Sequence, residues 1–71
     1  MSLSDHKYVN FSEDYELNYH LKQVDKRQTE DNRTTLIVMG NELKSILDKN
    51  VLTHSEFREY ISQEGNLTRL D

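Results

Sequence analysis

A chain of 71 residues with a net charge of −4, 34% hydrophobic and 31% charged, makes one domain at most and has few apolar side chains for a core. It has no cysteine, so disulfides cannot reinforce it, and its acidic balance argues against a phosphate-rich partner such as DNA or RNA. Oligomerisation or docking on another protein is the remaining way to stabilise so short a chain.

Residues 1–10 read as a loose polar arm. Met1 to Lys7 has no apolar run like a secretion signal, and no stretch is long and apolar enough for a membrane span, so the cytoplasm is the expected location. Proline is absent and the only glycines are Gly40 and Gly65, which favours helices over turns. A single small helical domain is expected over residues 11–65, followed by a tail, 66–71, whose Leu67 can fold back.

A first helix is expected over about 13–26. Asn10 or Ser12 can cap it, and Glu13, Asp14 and Glu16 sit near the positive end of its dipole. Leu17, Leu21 and Val24 share one face, while Tyr15 and Tyr19 lie nearly opposite with Lys22 and Lys26. Tyr15, Leu17, Tyr19 and Leu21 also alternate, which is a strand signal. Asp25 to Asp31 reads as a loop, and Thr29 caps a second helix over about 30–49. There Leu36, Met39, Gly40, Leu43, Ile46 and Leu47 form one stripe about 100° wide, as a core-facing helix requires. Gly40 on that stripe forgoes about 1 kcal/mol relative to alanine, which makes sense if another helix backbone approaches closely.

Thr34 to Val38 is rich in β-branched residues. An α+β alternative therefore exists, with a short hairpin over about 15–21 and 34–39 before two helices. Asn50, tolerant of the left-handed conformation, closes the second helix. A third helix over about 54–64 opens with the capping box Thr53-His54-Ser55-Glu56, carries Phe57, Tyr60 and Ile61 on one face, and stops at Gly65. The preferred fold is all-α, a three-helix bundle with a loose N-terminal arm. Its expected core is Leu17, Leu21, Val24, Leu36, Met39, Leu43, Ile46, Leu47, Leu52, Phe57, Tyr60 and Ile61.

Leu43-Lys44, Leu47-Asp48-Lys49, Val51-Leu52-Thr53 and Glu56-Phe57 resemble the short C-terminal helical hairpins of SHOCT type found in many bacterial proteins. The resemblance spans residues 43–62, and Asn50 stands where that pattern usually has glycine. It implies a helical interaction or oligomerisation module with no chemistry of its own.

No residue pattern points to catalysis. There is no cysteine nucleophile and no glycine-rich phosphate loop, and the carboxylates are dispersed or sit at helix starts. Glu16 and His20 are four apart and could face one ligand, but a metal needs more donors than two. They read as a solvated pair, and His54 as an ordinary first-turn residue. The expectation is therefore no enzyme, no cofactor and no metal.

The apolar residues that the core does not need are more informative. Ile37 and Val38 fall off the main stripe of the second helix, and Tyr15 and Tyr19 off that of the first. Aromatic and aliphatic surplus of this kind marks interfaces, so Tyr15, Tyr19, Ile37 and Val38 are the candidate protein-interface residues. The expected function is non-enzymatic protein–protein interaction or regulation. Size and style suggest a bacterial or phage accessory factor acting as a homodimer or on another protein, with nucleic acid disfavoured and no membrane. The alternative is a dimeric DNA-associated transcription regulator using Lys22, Lys26, Arg27 and Arg33.

Overall fold

The computed structural model describes residues 8–71, and the helix signals resolve there into four α-helices: α1 (Asp14–Gln23), α2 (Glu30–Leu47), α3 (His54–Ile61) and α4 (Glu64–Leu67). Among the described residues the only strand-like pairing is one antiparallel bridge between Tyr8 and Thr53. The three expected helices form in order. The alternative hairpin over 15–21 and 34–39 does not, because both segments are helical. Thr34 to Val38 lies inside an 18-residue helix, where the buried face outweighs the β-propensity of single residues.

The helix ends differ from expectation in ways the backbone explains. Neither Asn10 nor Ser12 caps α1; Glu13 takes that position without a side-chain bond. The Asn10 Oδ1 instead accepts from the Ser12 amide at 3.1 Å and hydroxyl at 2.6 Å, and the Asn10 amide donates to Glu16 Oε1 at 2.9 Å. α1 ends at Gln23, short of Lys26. Asp25 turns left-handed at φ 61, Lys26 N–H donates to the Leu21 carbonyl at 2.8 Å and Asp25 N–H to that of Lys22 at 3.1 Å. This pair of bonds closes a Schellman motif.

Thr29 caps α2 as expected, its hydroxyl accepting from the Asn32 amide at 3.1 Å. The helix stops at Leu47 rather than Lys49, and the left-handed residue is Asp48, φ 55, rather than Asn50. Lys49 N–H reaches the Lys44 carbonyl at 2.9 Å. An aspartate there combines a strained backbone with a negative charge at the negative end of the dipole. Asp48→Gly is expected to raise stability by about 0.5–1 kcal/mol in urea unfolding. A loss instead would assign the Asp48 carboxylate a stabilising contact.

The capping box of α3 forms in full: Glu56 N–H donates to Thr53 Oγ1 at 3.1 Å and Thr53 N–H to Glu56 Oε1 at 2.9 Å. Lys49 Nζ holds Glu56 Oε2 at 2.6 Å. α3 ends at Ile61 rather than residue 64, and Gly65 does not stop it but lies within α4.

Leu17, Leu21, Leu36, Met39, Leu43, Leu52, Phe57 and Ile61 are buried, as expected, and Val24 and Tyr60 lie half-buried against them. Ile46 and Leu47 are a correction: they are 66% and 40% exposed. They have the right helical phase, but burial along α2 ends at Leu43. The core is completed instead by the two ends of the chain. Val9 is buried and its N–H donates to the Leu52 carbonyl at 2.9 Å, while Phe11 packs on the cluster. Most of the expected arm, residues 1–7, lies outside the described residues; Tyr8 to Asn10 are tied to the fold by these contacts. In the expected tail, Leu67 packs against the core and Leu70 is inside it.

Two polar groups secure that C-terminal segment. Buried Asn32 donates to the Arg27 carbonyl at 2.8 Å and accepts from the Asp71 amide at 3.0 Å. Glu42 of α2 accepts from the Tyr60 hydroxyl at 2.9 Å and from Arg69 Nη1 and Nη2 at 2.8 and 2.9 Å. Gly40 does receive a close neighbour, but it is the Phe11 ring and not a helix backbone: a Cβ at Gly40 would lie 2.5 Å from Phe11 Cε1 and Cζ.

Candidate functional site

The inner face of α1 carries a histidine. His20 follows Leu17 by three residues and precedes Val24 by four, so it shares their stripe, and it is fully buried. Its expected place as a solvated partner of Glu16 is thereby corrected. The position was legible in the spacing, because His20 shares the helical phase of Leu17 and Val24.

Opposite it stands His54, the first residue of α3, placed there by the Thr53–Glu56 capping box. His20 Nε2 and His54 Nδ1 are 3.0 Å apart, and the rings stack with centroids 5.1 Å apart and planes 13° from parallel. The Phe57 ring meets His20 edge-on at 5.1 Å. Glu16 Oε1 lies 3.7 Å from the far nitrogen of His54, Nε2. Glu16 and His20 thus both address His54 rather than a common ligand. No pattern along the chain links His20 to a residue 34 positions away.

His20 Nδ1 is buried with no hydrogen-bond partner. A bare lone pair is the form of that nitrogen that leaves no donor stranded, so the proton belongs on Nε2. His20 Nε2–H then donates to His54 Nδ1, and His54 Nε2–H points at Glu16. Burial, then the charges of His54 and Arg58, push the His20 pKa from 6.5 to about 4. The cation is disfavoured only in the folded chain. Between those two values the unfolded chain therefore binds more protons, and stability falls as the pH drops from 6.5 towards 4. Among the described residues no group of three or more His, Asp or Glu side chains is arranged to hold a metal ion.

The expected interface residues Tyr15, Tyr19, Ile37 and Val38 are all exposed, between 39% and 68%. Tyr15 and Tyr19 make one stripe on α1, away from Leu17 and Leu21. Ile37 and Val38 diverge. Ile37 follows Arg33 by one turn, and Arg33 faces α1 through Asn18 at 3.1 Å and Asp14 at 3.8 Å. Val38 precedes Glu42 by one turn, on the flank that meets Tyr60 and Arg69. A different exposed group, Ile46, Leu47 and Val51, gathers at the turn between α2 and α3. Helical phase alone had assigned two of these three to the core. Of the basic residues considered for nucleic acid, Lys26 bonds the Leu70 carbonyl at 3.3 Å and Arg33 is engaged by Asn18 and the Gln28 carbonyl.

No family model, curated protein or solved structure matches this chain. The resemblance of residues 43–62 to SHOCT-type hairpins therefore rests on the residues alone. Among the described residues no helix is long and apolar enough to cross a membrane.

Proposed function

We propose that this chain is a non-enzymatic protein–protein interaction module, an accessory or regulatory factor that acts by occupying a surface of another protein or of a second copy. The observation that carries this reading is apolar side chains left in water by a chain that has few of them. Seven large ones are exposed among the described residues, in a sequence only 34% hydrophobic. Grouped apolar exposure of this kind usually marks a contact surface. The α2–α3 turn is the favoured contact, because Ile46, Leu47 and Val51 lie within six positions of one another. Their backbone is also held by the left-handed Asp48, the capping box and the Lys49–Glu56 pair. A pre-ordered surface loses little entropy on binding.

The test substitutes exposed positions, where the fold is expected to change by no more than about 0.5 kcal/mol. Ile46→Asp with Val51→Asp forms one variant, and Tyr19→Asp with Ile37→Asp the other. Mass in solution by sedimentation and recovery of bound protein from the native cell are compared with the parent chain. The first variant is expected to weaken association by about tenfold or more, as loss of a central anchor does. If both variants fold and neither measurement changes, the interaction reading is wrong.

A further inference from the structure

We propose that His20 and His54 form an acid-operated latch that releases α1 from α3 while the packing of α2 on α3 and α4 persists. The proposal is independent of the interaction reading above. It rests on where the chain uses histidine and where it uses carboxylate to join its helices.

Among the described residues, the polar contacts that join α1 directly to α3 both end on His54: the 3.0 Å nitrogen–nitrogen contact with His20 and the 3.7 Å approach of Glu16. The first needs one facing nitrogen to carry a proton and the other to offer a lone pair. Once both rings are cations, two N–H groups face each other across 3.0 Å. No hydrogen bond can form, and two like charges are stacked ring on ring. Among the described residues, the charged and titratable groups that meet His20 are Tyr19 on its own helix, its ring edge-on at 5.6 Å, and His54 and Arg58 on α3; Glu16 approaches His54 instead. Arg58 disfavours a cation at His20. The orphaned Nδ1 adds a second obstacle, because a protonated His20 places an unsatisfied N–H in the core.

The other junctions answer acid differently. Glu42 joins α2 to Tyr60 and Arg69, and those partners hold its carboxyl below the ordinary 4.5. Glu56 is held below 4.5 by Lys49 and by the Thr53 amide. Both carboxylates therefore keep their charge to a lower pH than an ordinary carboxylate does. The burial of His20 shifts its own titration towards acid. Mild acid therefore acts on the α1–α3 seam while leaving the polar contacts of α3 and α4 on α2 intact. Among the described residues the comparable polar ties of α1 to α2 are the Arg33 contacts to Asn18 and Asp14; the rest of that junction is the apolar packing of Leu17 and Leu21, so α1, which loses its polar ties to α3, is the element expected to lift.

Hydrogen exchange of the whole chain, corrected for intrinsic rates, tests this between about pH 7 and pH 5. Protection in Asp14–Gln23 is expected to fall by about tenfold or more relative to Glu30–Leu47, as the acid displacement of His20 from 6.5 requires. Two variants remove the titrating contact in different ways: His20→Leu fills the buried site with an aliphatic side chain, and His54→Gln keeps a polar group at the helix start. In a folded His20→Leu variant the difference between α1 and α2 should no longer depend on pH, and in a folded His54→Gln variant, where His20 stays buried but loses its stacked partner, it should shrink. Three results would overturn the latch: equal loss of protection in α1 and α2, no loss in either, or a pH-dependent difference that survives undiminished in a folded His20→Leu or His54→Gln variant. The histidine ring signals of the parent chain give a readout without mutation. A His20 ring that titrates only near pH 4 supports the latch, and a His20 ring that titrates near 6.5 excludes it.

Discussion

Phe57→Ala is expected to cost about 3–5 kcal/mol, the range for deleting a fully buried phenylalanine. A chain of this length has a total stability of roughly 4–10 kcal/mol, so the variant should be largely unfolded or close to it at room temperature. Phe57 is fully buried and stands where three parts of the chain meet. Its ring receives Phe11 edge-on at 5.0 Å from the N-terminal segment and His20 at 5.1 Å from α1, while its own backbone follows the capping box of α3. Alanine would leave a void that neither aromatic neighbour can close without losing its own contacts. Phe57→Leu keeps much of the volume and should cost about 1–2 kcal/mol. Urea unfolding of the two variants checks the pair, and a loss under about 1 kcal/mol for the alanine variant would remove Phe57 from the centre of the packing.

Gly40→Ala is expected to destabilise the chain by about 1–3 kcal/mol, although alanine is the better helix former by about 1 kcal/mol. The added methyl would sit 2.5 Å from the Phe11 ring. That ring is not free to swing aside, because Phe57 abuts it and Lys44 Nζ lies 4.9 Å from its centroid. With Phe11→Ala in the background the obstruction is gone. The same Gly40→Ala change should then stabilise by about 1 kcal/mol, its intrinsic helix preference. The reversal of sign makes a double-mutant cycle decisive, with a coupling of about 2–4 kcal/mol. If Gly40→Ala stabilises both backgrounds, the helix surface at Gly40 is not the seat of Phe11.

Both effects depend on Phe11, a residue to which no helical or strand period applies. The spacing at Gly40 correctly announced a close approach, but nothing in the local sequence named what approaches. Val9 and Leu70 raise the same difficulty. Each lies in a stretch too short to show a period. Their burial follows from a bridge of Tyr8 to Thr53, a hydrogen bond from the Val9 amide to the Leu52 carbonyl and the clasp of Asn32 on Asp71, all of them distant in sequence. The misjudgement of Ile46 and Leu47 is the converse. Their phase on α2 is that of a core residue, but phase records direction around a helix and says nothing about how far along it the neighbours extend.

The surface shows a similar division. That Tyr15, Tyr19, Ile37 and Val38 exceed the needs of the core was legible from the helical wheel, and all four are exposed. That Ile37 and Val38 diverge to different flanks of α2, and that Ile46, Leu47 and Val51 are left exposed at the α2–α3 turn, required knowing which helices lie beside α2.

The amino-acid sequence by itself favoured the all-helical class over the α+β alternative and determined the order of the three main helices, the Thr29 cap, the capping box at Thr53 and most of the inward-facing aliphatic residues. These are short-range properties, set by propensity, by side chains bonding amides three residues away, and by the 3.6-residue repeat. Only the tertiary structure decided that His20 is buried against His54, that Phe11 seats on Gly40, that the chain ends complete the core and that the last turn of α2 stays in water. Each of these joins residues far apart in the chain, and such contacts form because the packed helices bring those side chains within reach, which no local pattern encodes.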